Sequence, residues 1–87
     1  MGTMAERLRW ARGVSGLTTR ELAELAGISH AYPTLIETGR RQSVATEITD
    51  RLAAIFGTQP AWLVYGAGRR PGKKHLLAAV KAAREAA

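Results

Sequence analysis

Glycine residues divide the first 66 residues into five short segments, and this spacing constrains the fold more than any other feature. The breaks fall at residues 13–16, 27, 39, 57 and 66. Between the breaks, apolar side chains recur every three or four residues, which is the period of an amphipathic α-helix. Alternating patterns typical of strands are almost absent. The sequence therefore predicts an all-α domain.

Local capping signals set the predicted helix boundaries. The five helices are predicted at residues 3–12, 18–26, 29–38, 43 or 44 to 56, and 60–65. The first two begin with capping boxes, formed by Thr3 with Glu6 and by Thr18 with Glu21. Ser29 is a favoured N-cap residue and opens the third helix. The fifth begins at a proline, which is favoured at the first helical position.

The chain beyond residue 66 differs in composition. Residues 67–74 predict a basic linker, and residues 75–87 are alanine-rich, with a weak apolar stripe at Leu76, Val80 and Ala83. An isolated helix of about 13 residues is marginal in water, so this tail is helical only if it packs on the domain at residues 1–66. Docking and fraying of the tail both remain open, as do exposure and coverage of Trp10. The linker fits either a solvated chain or a phosphate-binding arm.

The charge favours a polyanionic partner. Thirteen basic and seven acidic side chains give a net charge of +6 and an isoelectric point near 10.8. A net positive charge of this size favours nucleic acid as the partner, and an anionic membrane is the second possibility. No apolar run is long enough to span a bilayer, and the tail has too few large apolar residues to bind a membrane surface. The absence of cysteine and of an apolar N-terminal signal region predicts a cytoplasmic location.

Residues 18–38 have the pattern of a helix-turn-helix. The first helix needs a small residue where the second crosses it closely, and Ala23 is that residue. The turn needs a residue that tolerates positive φ, and Gly27 follows four positions later. Apolar residues must follow the turn and anchor the second helix from inside; Ile28 and Ile36 meet these needs.

With these residues the chain resembles the Cro/C1-type (Xre-like) repressor family over about residues 4–66. The motifs that carry the resemblance are Leu-Arg-x-x-Arg at 8–12, Gly-Leu-Thr at 16–18, Glu-Leu-Ala-x-x-Ala-Gly-Ile-Ser at 21–29, Ile-Glu-x-Gly-Arg at 36–40, Leu-Ala-x-x-Phe-Gly at 52–57 and Pro-x-Trp-Leu-x-x-Gly at 60–66. The resemblance implies a compact five-helix, lambda-repressor-like domain with the helix-turn-helix at its second and third helices.

The resemblance also implies roles for individual residues. The third helix is expected to enter the major groove with its base-facing positions Ser29, His30, Ala31, Tyr32, Thr34 and Leu35. Phosphate contacts are expected from Thr19, Arg20, Arg40, Arg41 and Gln42. Arg12 and Glu37 occupy positions that pair in this family, so an ion pair between the first and third helices is expected.

Pro33 and Leu35 are the main departures from the family pattern, and Gln42, where a proline is usual, is a mild one. Pro33 stands where a branched aliphatic side chain is usual. It predicts either a late start of the third helix or, as the favoured alternative, a local distortion in a helix that begins at Ser29. Leu35 stands where a polar, base-contacting side chain is common; it fits either a contact with thymine methyl groups or a contact with a protein.

The function predicted first is a sequence-specific transcription regulator that binds double-stranded DNA, as a dimer on a palindromic operator. The alternative is an antitoxin-like module of the same fold that binds a protein partner through Leu35 or the tail. Neither hypothesis needs a cofactor or a metal. No catalytic constellation is visible, because His30 and His75 are far apart and no serine has a nucleophile-elbow context, so enzymatic activity is not expected.

Overall fold

Six α-helices and their connections make up residues 2–87, the part of the chain that the computed structural model describes. They are, in chain order, α1 (Met4–Ser15), α2 (Thr19–Ala26), α3 (Ala31–Glu37), α4 (Thr46–Ile55), α5 (Pro60–Tyr65) and α6 (Lys73–Ala86). No strand occurs among these residues, so the all-α prediction is confirmed. Met1, the first residue of the predicted domain at 1–66, lies outside the described residues.

All six helices contribute to one hydrophobic core. Its largest fully buried side chains are Phe56, Leu8, Leu22, Ile36, Leu52, Leu63, Leu76, Val80 and Pro33. α3 packs against α1 and α2, and α6 packs against α1 and α4. The radius of gyration is 11.5 Å, close to the value of about 12 Å expected for one compact domain of this length. The pair α2 and α3 is therefore part of one compact domain.

Both predicted capping boxes are present. At the start of α1, the Glu6 amide donates to Thr3 Oγ1 at 3.1 Å and the Thr3 amide donates to Glu6 Oε1 at 3.2 Å. At the start of α2, the Glu21 amide donates to Thr18 Oγ1 at 3.0 Å and the Thr18 amide donates to Glu21 Oε1 at 3.1 Å. Each box satisfies two backbone donors within four residues, which is why the sequence located these helix starts correctly.

The predicted end of the first helix at about Arg12 is wrong. α1 continues through Gly13 to Ser15 and ends at Gly16, which has a φ of 73°. One glycine inside a helix costs only about 1 kcal/mol, so Gly13 does not stop it. Ser15 Oγ donates to the carbonyl of Ala11 at 2.6 Å inside the last turn.

The favoured prediction for the third helix, a start at Ser29 with a distortion at Pro33, is also wrong, and the alternative of a late start is confirmed. α3 begins at Ala31, and its N-cap residue, His30, makes no side-chain capping bond. Pro33 is therefore the third helical residue, where a backbone N–H has no acceptor within the helix in any case. Its ring is fully buried and fills the core position where the family pattern usually has a branched aliphatic side chain.

The fourth helix begins later than predicted. α4 starts at Thr46 instead of at Ser43 or Val44, and Ala45 before it has an extended ψ of 141°. Val44 is half-buried and packs against the core from this extended segment. An apolar residue at helical spacing can thus reach the core without helical backbone, which is why the periodicity placed the boundary too early.

α6 is docked on the domain. It begins at Lys73, so Lys73 and the following lysine belong to the helix instead of to the predicted linker. Leu76 and Val80 are buried in the common core, and His75 Nε2 lies 2.6 Å from the carbonyl oxygen of Gly57. A Cβ at Gly57 would lie 2.9 Å from that of Ala79, so glycine permits this close approach.

The docked C-terminal part also covers Trp10. The rings of Trp10 and Trp62 meet edge to face, with centroids 6.1 Å apart. The guanidinium of Arg70, from the connection before α6, lies 4.9 Å from the centroid of Trp10. Trp10 is consequently half-buried between the fifth helix and the linker.

Candidate nucleic-acid interface

The frame of the interface is the pair α2 and α3. Ala23 is fully buried where the helices cross, and Gly27 turns the chain with a φ of 69°. The Ile28 amide donates to the Ala23 carbonyl at 3.0 Å, which closes the turn. Ile28 is half-buried against the core and Ile36 is buried in it. These contacts fix the orientation of α3 by packing on its inner side.

The outer side of α3 and the turn before it present mostly short side chains. Ala31 and Thr34 of the helix are exposed, and Tyr32 and Leu35 are half-buried; Ser29 and His30 are also exposed but precede the helix, which corrects their predicted place on it. Hydroxyl and imidazole groups can donate to or accept from base edges, and small side chains allow a helix to approach the groove closely. All six predicted base-facing residues therefore lie on or beside this side of the helix.

The segment after α3 carries cations toward the same surface. Arg40, Arg41 and Gln42 are exposed. The Arg41 guanidinium lies 4.6 Å from the ring centroid of Tyr32, and the Arg41 amide donates to the Leu35 carbonyl at 3.0 Å. The side chain of Arg40 has no hydrogen bond or ion pair among the described residues.

Thr19 and Arg20 lie in the first turn of α2, where exposed amides and the helix dipole favour an anion. Thr19 is half-buried and Arg20 is exposed. The carboxylate of Glu21 already lies at this helix end. It accepts a hydrogen bond from the Thr18 amide and a second one from Arg84 Nη2 at 3.2 Å. The hydrogen bond from the Thr18 backbone, followed by the interaction with Arg84, holds the pKa of Glu21 below its usual value of 4.5.

This pKa shift predicts how stability depends on pH. A carboxyl whose pKa is lowered by folding stabilises the protein above its unfolded pKa and loses that contribution as the pH falls through the folded value. We expect Glu21→Gln to lower the melting temperature at neutral pH and the difference from wild type to vanish at a pH well below 4.5. Glu85→Gln is the control, because Glu85 has no ion pair among the described residues. A Glu21→Gln difference that is the same at every pH would contradict the assignment.

Glu24 is an acid on the interface that the sequence did not single out. Its Oε2 lies 3.9 Å from Arg20 Nε and 3.7 Å from His30 Nε2. The pair with Arg20 has the i,i+4 spacing that a sequence shows directly. The approach of His30 arises from the angle between α2 and α3 and has no sequence signal.

Arg12 and Glu37 join α1 to the end of α3, as the resemblance implied. Arg12 Nε lies 2.8 Å from Glu37 Oε2 and Arg12 Nη2 lies 3.0 Å from Glu37 Oε1. Arg12 Nη1 also donates to the Leu17 carbonyl at 2.9 Å. The side-chain exposures of Arg12 and Glu37 are 21% and 7%, and the hydrogen bond with Glu37 raises the pKa of Arg12. This forked pair restrains the C-terminal end of α3.

Arg7 is a second structural cation, and its role was missed by the sequence analysis. It is buried, and it donates from Nε to the Leu63 carbonyl at 2.8 Å and from Nη2 to the Val64 carbonyl at 2.7 Å. These are carbonyls of the last turn of α5, which attract a cation. The contact spans more than 50 residues of chain, so local sequence patterns contain no signal for it.

Two further kinds of feature concern the described part of the chain: a cluster of metal-ligating side chains and a helix able to span a membrane. Within residues 2–87, no group of three or more His, Cys, Asp or Glu side chains is placed to hold a metal ion. None of the helices described has the length and apolar character needed to cross a bilayer.

Comparisons with known proteins agree with the α2–α3 geometry. A family model described as a helix-turn-helix domain matches residues 3–63. The isomerizing glutamine–fructose-6-phosphate aminotransferase of Methanocaldococcus jannaschii is 30% identical over 63 residues, which are 72% of this chain. The chain spans only 6% of the length of that protein. No solved structure matches the chain.

Proposed function

The chain belongs to the helix-turn-helix domain family, and from this we propose that it is a sequence-specific transcription regulator of the Cro/C1 type. In this proposal α3 enters the major groove of double-stranded DNA. The observation that carries it is the surface formed by the outer side of α3 and the turn before it, where Ser29, His30 and Thr34 are exposed while the inner side of α3 packs into the core. A regulator of this kind acts where the genome lies, so we also propose a cytoplasmic, nucleoid-associated location.

The proposed contacts divide into two classes. Ser29, His30, Ala31, Tyr32, Thr34 and Leu35 face the bases, and Thr19, Arg20, Arg40, Arg41 and Gln42 face the phosphates. Base contacts supply sequence preference, whereas phosphate contacts supply affinity and register. The stack of Arg41 on Tyr32 links the two classes, because the cation and the ring constrain each other beside α3.

We propose that the protein binds as a homodimer on a palindrome. Tyr65, at the end of α5, is 80% exposed and is the most exposed large hydrophobic side chain described. Such a side chain favours an interface with a second copy. Two copies related by a two-fold axis would place their α3 helices about one helical turn of DNA apart.

The alternative of an antitoxin-like, protein-binding module is less well supported. It depended on Leu35 and on the apolar stripe of the tail. Leu76 and Val80 of that stripe are buried in the protein's own core, and Leu35 is half-buried. The apolar stripe of the tail therefore no longer supports a protein partner, and we favour DNA.

Variants in the two classes test the proposal. We expect Thr34→Ala to reduce the preference for the selected operator over a scrambled duplex by about 1 kcal/mol, the net contribution of one neutral hydrogen bond. Arg40→Gln is expected to weaken binding to both duplexes equally and to reduce the salt slope by about 1. Fluorescence anisotropy titrations over a salt series measure both effects. Unchanged affinity and slope for Arg40→Gln, with unchanged preference for Thr34→Ala, would contradict the assignment.

A further inference from the structure

Most of the net positive charge of the protein lies C-terminal to the helix-turn-helix, in residues 67–87. Residues 67–87 contain six of the 13 basic side chains and one of the seven acidic ones, and so carry +5 of the net +6. Residues 1–66 carry only +1. The excess charge that favours a polyanionic partner therefore belongs to α6 and the connection before it.

The cations of α6 lie along one side of a helix whose rotation is fixed. Leu76 and Val80, four residues apart, are buried in the core and set which side of α6 faces inward. At 100° per residue, Lys73, Lys74, Lys81 and Arg84 fall within an arc of about 100° and span about 17 Å along the axis. All four are exposed. We call these four residues the basic stripe.

The basic stripe is not explained by the stability of α6. Lys73, Lys74 and Lys81 have no ion pair among the described residues, and Glu85, the acid of this helix, has none either. Lys73 and Lys74 are the first two residues of α6, where the helix dipole disfavours cations. Three unpaired cations on one side of a docked helix therefore weaken the fold slightly and fit a role in binding an anionic surface.

One end of the basic stripe meets the N-terminus of α2. Arg84 Nη2 lies 3.2 Å from Glu21 Oε2, and Glu21 directly follows Thr19 and Arg20, the proposed phosphate contacts. Arg84 also offsets the negative charge of Glu21 at this helix end. The stripe is consequently continuous with the edge of α2 that we propose faces the DNA backbone.

We propose that the basic stripe contacts the phosphates that flank the half-site under α3, on the same duplex. The inference rests on the proposed DNA-binding function and extends the contacted surface from α2 onto α6. Each strand of duplex DNA carries one charge per about 3.4 Å of axis, so a stripe of about 17 Å that follows one strand matches about five phosphates. The chemistry recognised is the phosphodiester backbone, without regard to base sequence.

The test compares charge-removing and charge-retaining variants. Lys74→Gln with Lys81→Gln removes two exposed cations from the stripe, and Lys74→Arg with Lys81→Arg is the matched control. Arg9→Gln removes an exposed, unpaired cation of α1, outside the stripe. Far-UV circular dichroism verifies that each variant is folded. The probes are two duplexes that carry the motif recovered by selection, one trimmed to the motif and one extended by about 10 base pairs, one helical turn, on each side.

We expect wild type to bind the extended duplex several-fold more tightly than the trimmed one. The Gln double variant should lose that advantage, and its salt slope on the extended duplex should fall by about 2, since each lost contact removes about 0.9. The Arg double variant and Arg9→Gln should behave as wild type. If wild type and the Gln double variant bind the extended duplex with equal affinity and equal salt slope, the proposed phosphate contacts of the basic stripe are wrong. Failure of wild type to bind either duplex would instead overturn the proposed DNA-binding function, and the stripe with it.

Discussion

Replacement of Leu76 by alanine is expected to lower the free energy of unfolding by about 2–5 kcal/mol, the range for large-to-small changes at buried leucines. Leu76 is 0% exposed and lies in the same core cluster as Leu8 and Phe56. A domain of this size is stabilised by about 5–15 kcal/mol in total. The loss should thus be visible as a large shift in the midpoint of urea unfolding.

The next residue provides the control. Leu77 has the same side chain on the same helix but is 44% exposed. Leu77→Ala should change the free energy of unfolding by no more than about 0.5 kcal/mol, as is usual for surface positions. Equal, small effects of the two substitutions would mean that α6 does not pack on the domain in solution, and the basic stripe would then have no fixed position.

The second large effect is expected at Glu37. Glu37→Leu leaves the guanidinium of Arg12 mostly buried, with the Leu17 carbonyl as its remaining acceptor. Breaking one side of a buried ion pair costs about 3 kcal/mol or more, whereas replacing both partners with apolar residues costs less. We therefore expect the double variant Arg12→Met with Glu37→Leu to be more stable than Glu37→Leu alone. Chemical denaturation of wild type, Glu37→Leu, Arg12→Met and the double variant completes the double-mutant cycle.

The exposed pair of Arg51 and Glu47 is the comparison for that cycle. Their side chains are 45% and 73% exposed, and surface pairs contribute at most about 1 kcal/mol. Glu47→Gln should accordingly have a small effect. If Glu37→Leu costs no more than Glu47→Gln, the pair does not anchor the end of α3.

The features that the sequence predicted correctly are those set by a few neighbouring residues. The capping boxes at Thr3 and Thr18 and the left-handed turn at Gly27 depend on contacts within four residues, so their signals are legible in one sequence. The errors arose where packing decides the outcome. Gly13 is exposed, and α1 continues through it because the packing of Ala11 and Ser15 outweighs the small cost of one glycine. Val44 reaches the core from extended backbone.

Long-range contacts account for what the sequence could not supply. The docking of α6, the capping of α5 by Arg7 and the meeting of Arg84 with Glu21 each join residues that are distant in the chain. Periodicity marked Leu76 and Val80 as one weak stripe but contained no information on which surface would cover them. The ion pair of Arg12 and Glu37 also joins distant residues. It was predicted because the family resemblance indicates which positions pair, whereas local helix propensity does not.

Selection from a random pool of duplex DNA, with the purified chain at two salt concentrations, tests the central proposal most directly. We predict an enriched palindrome whose half-sites lie about one helical turn apart, bound with an affinity that falls steeply as salt rises. Salt-dependent binding without an enriched motif would contradict base recognition by the exposed side of α3 and leave only the phosphate contacts. No binding at low salt would contradict the DNA-binding function itself.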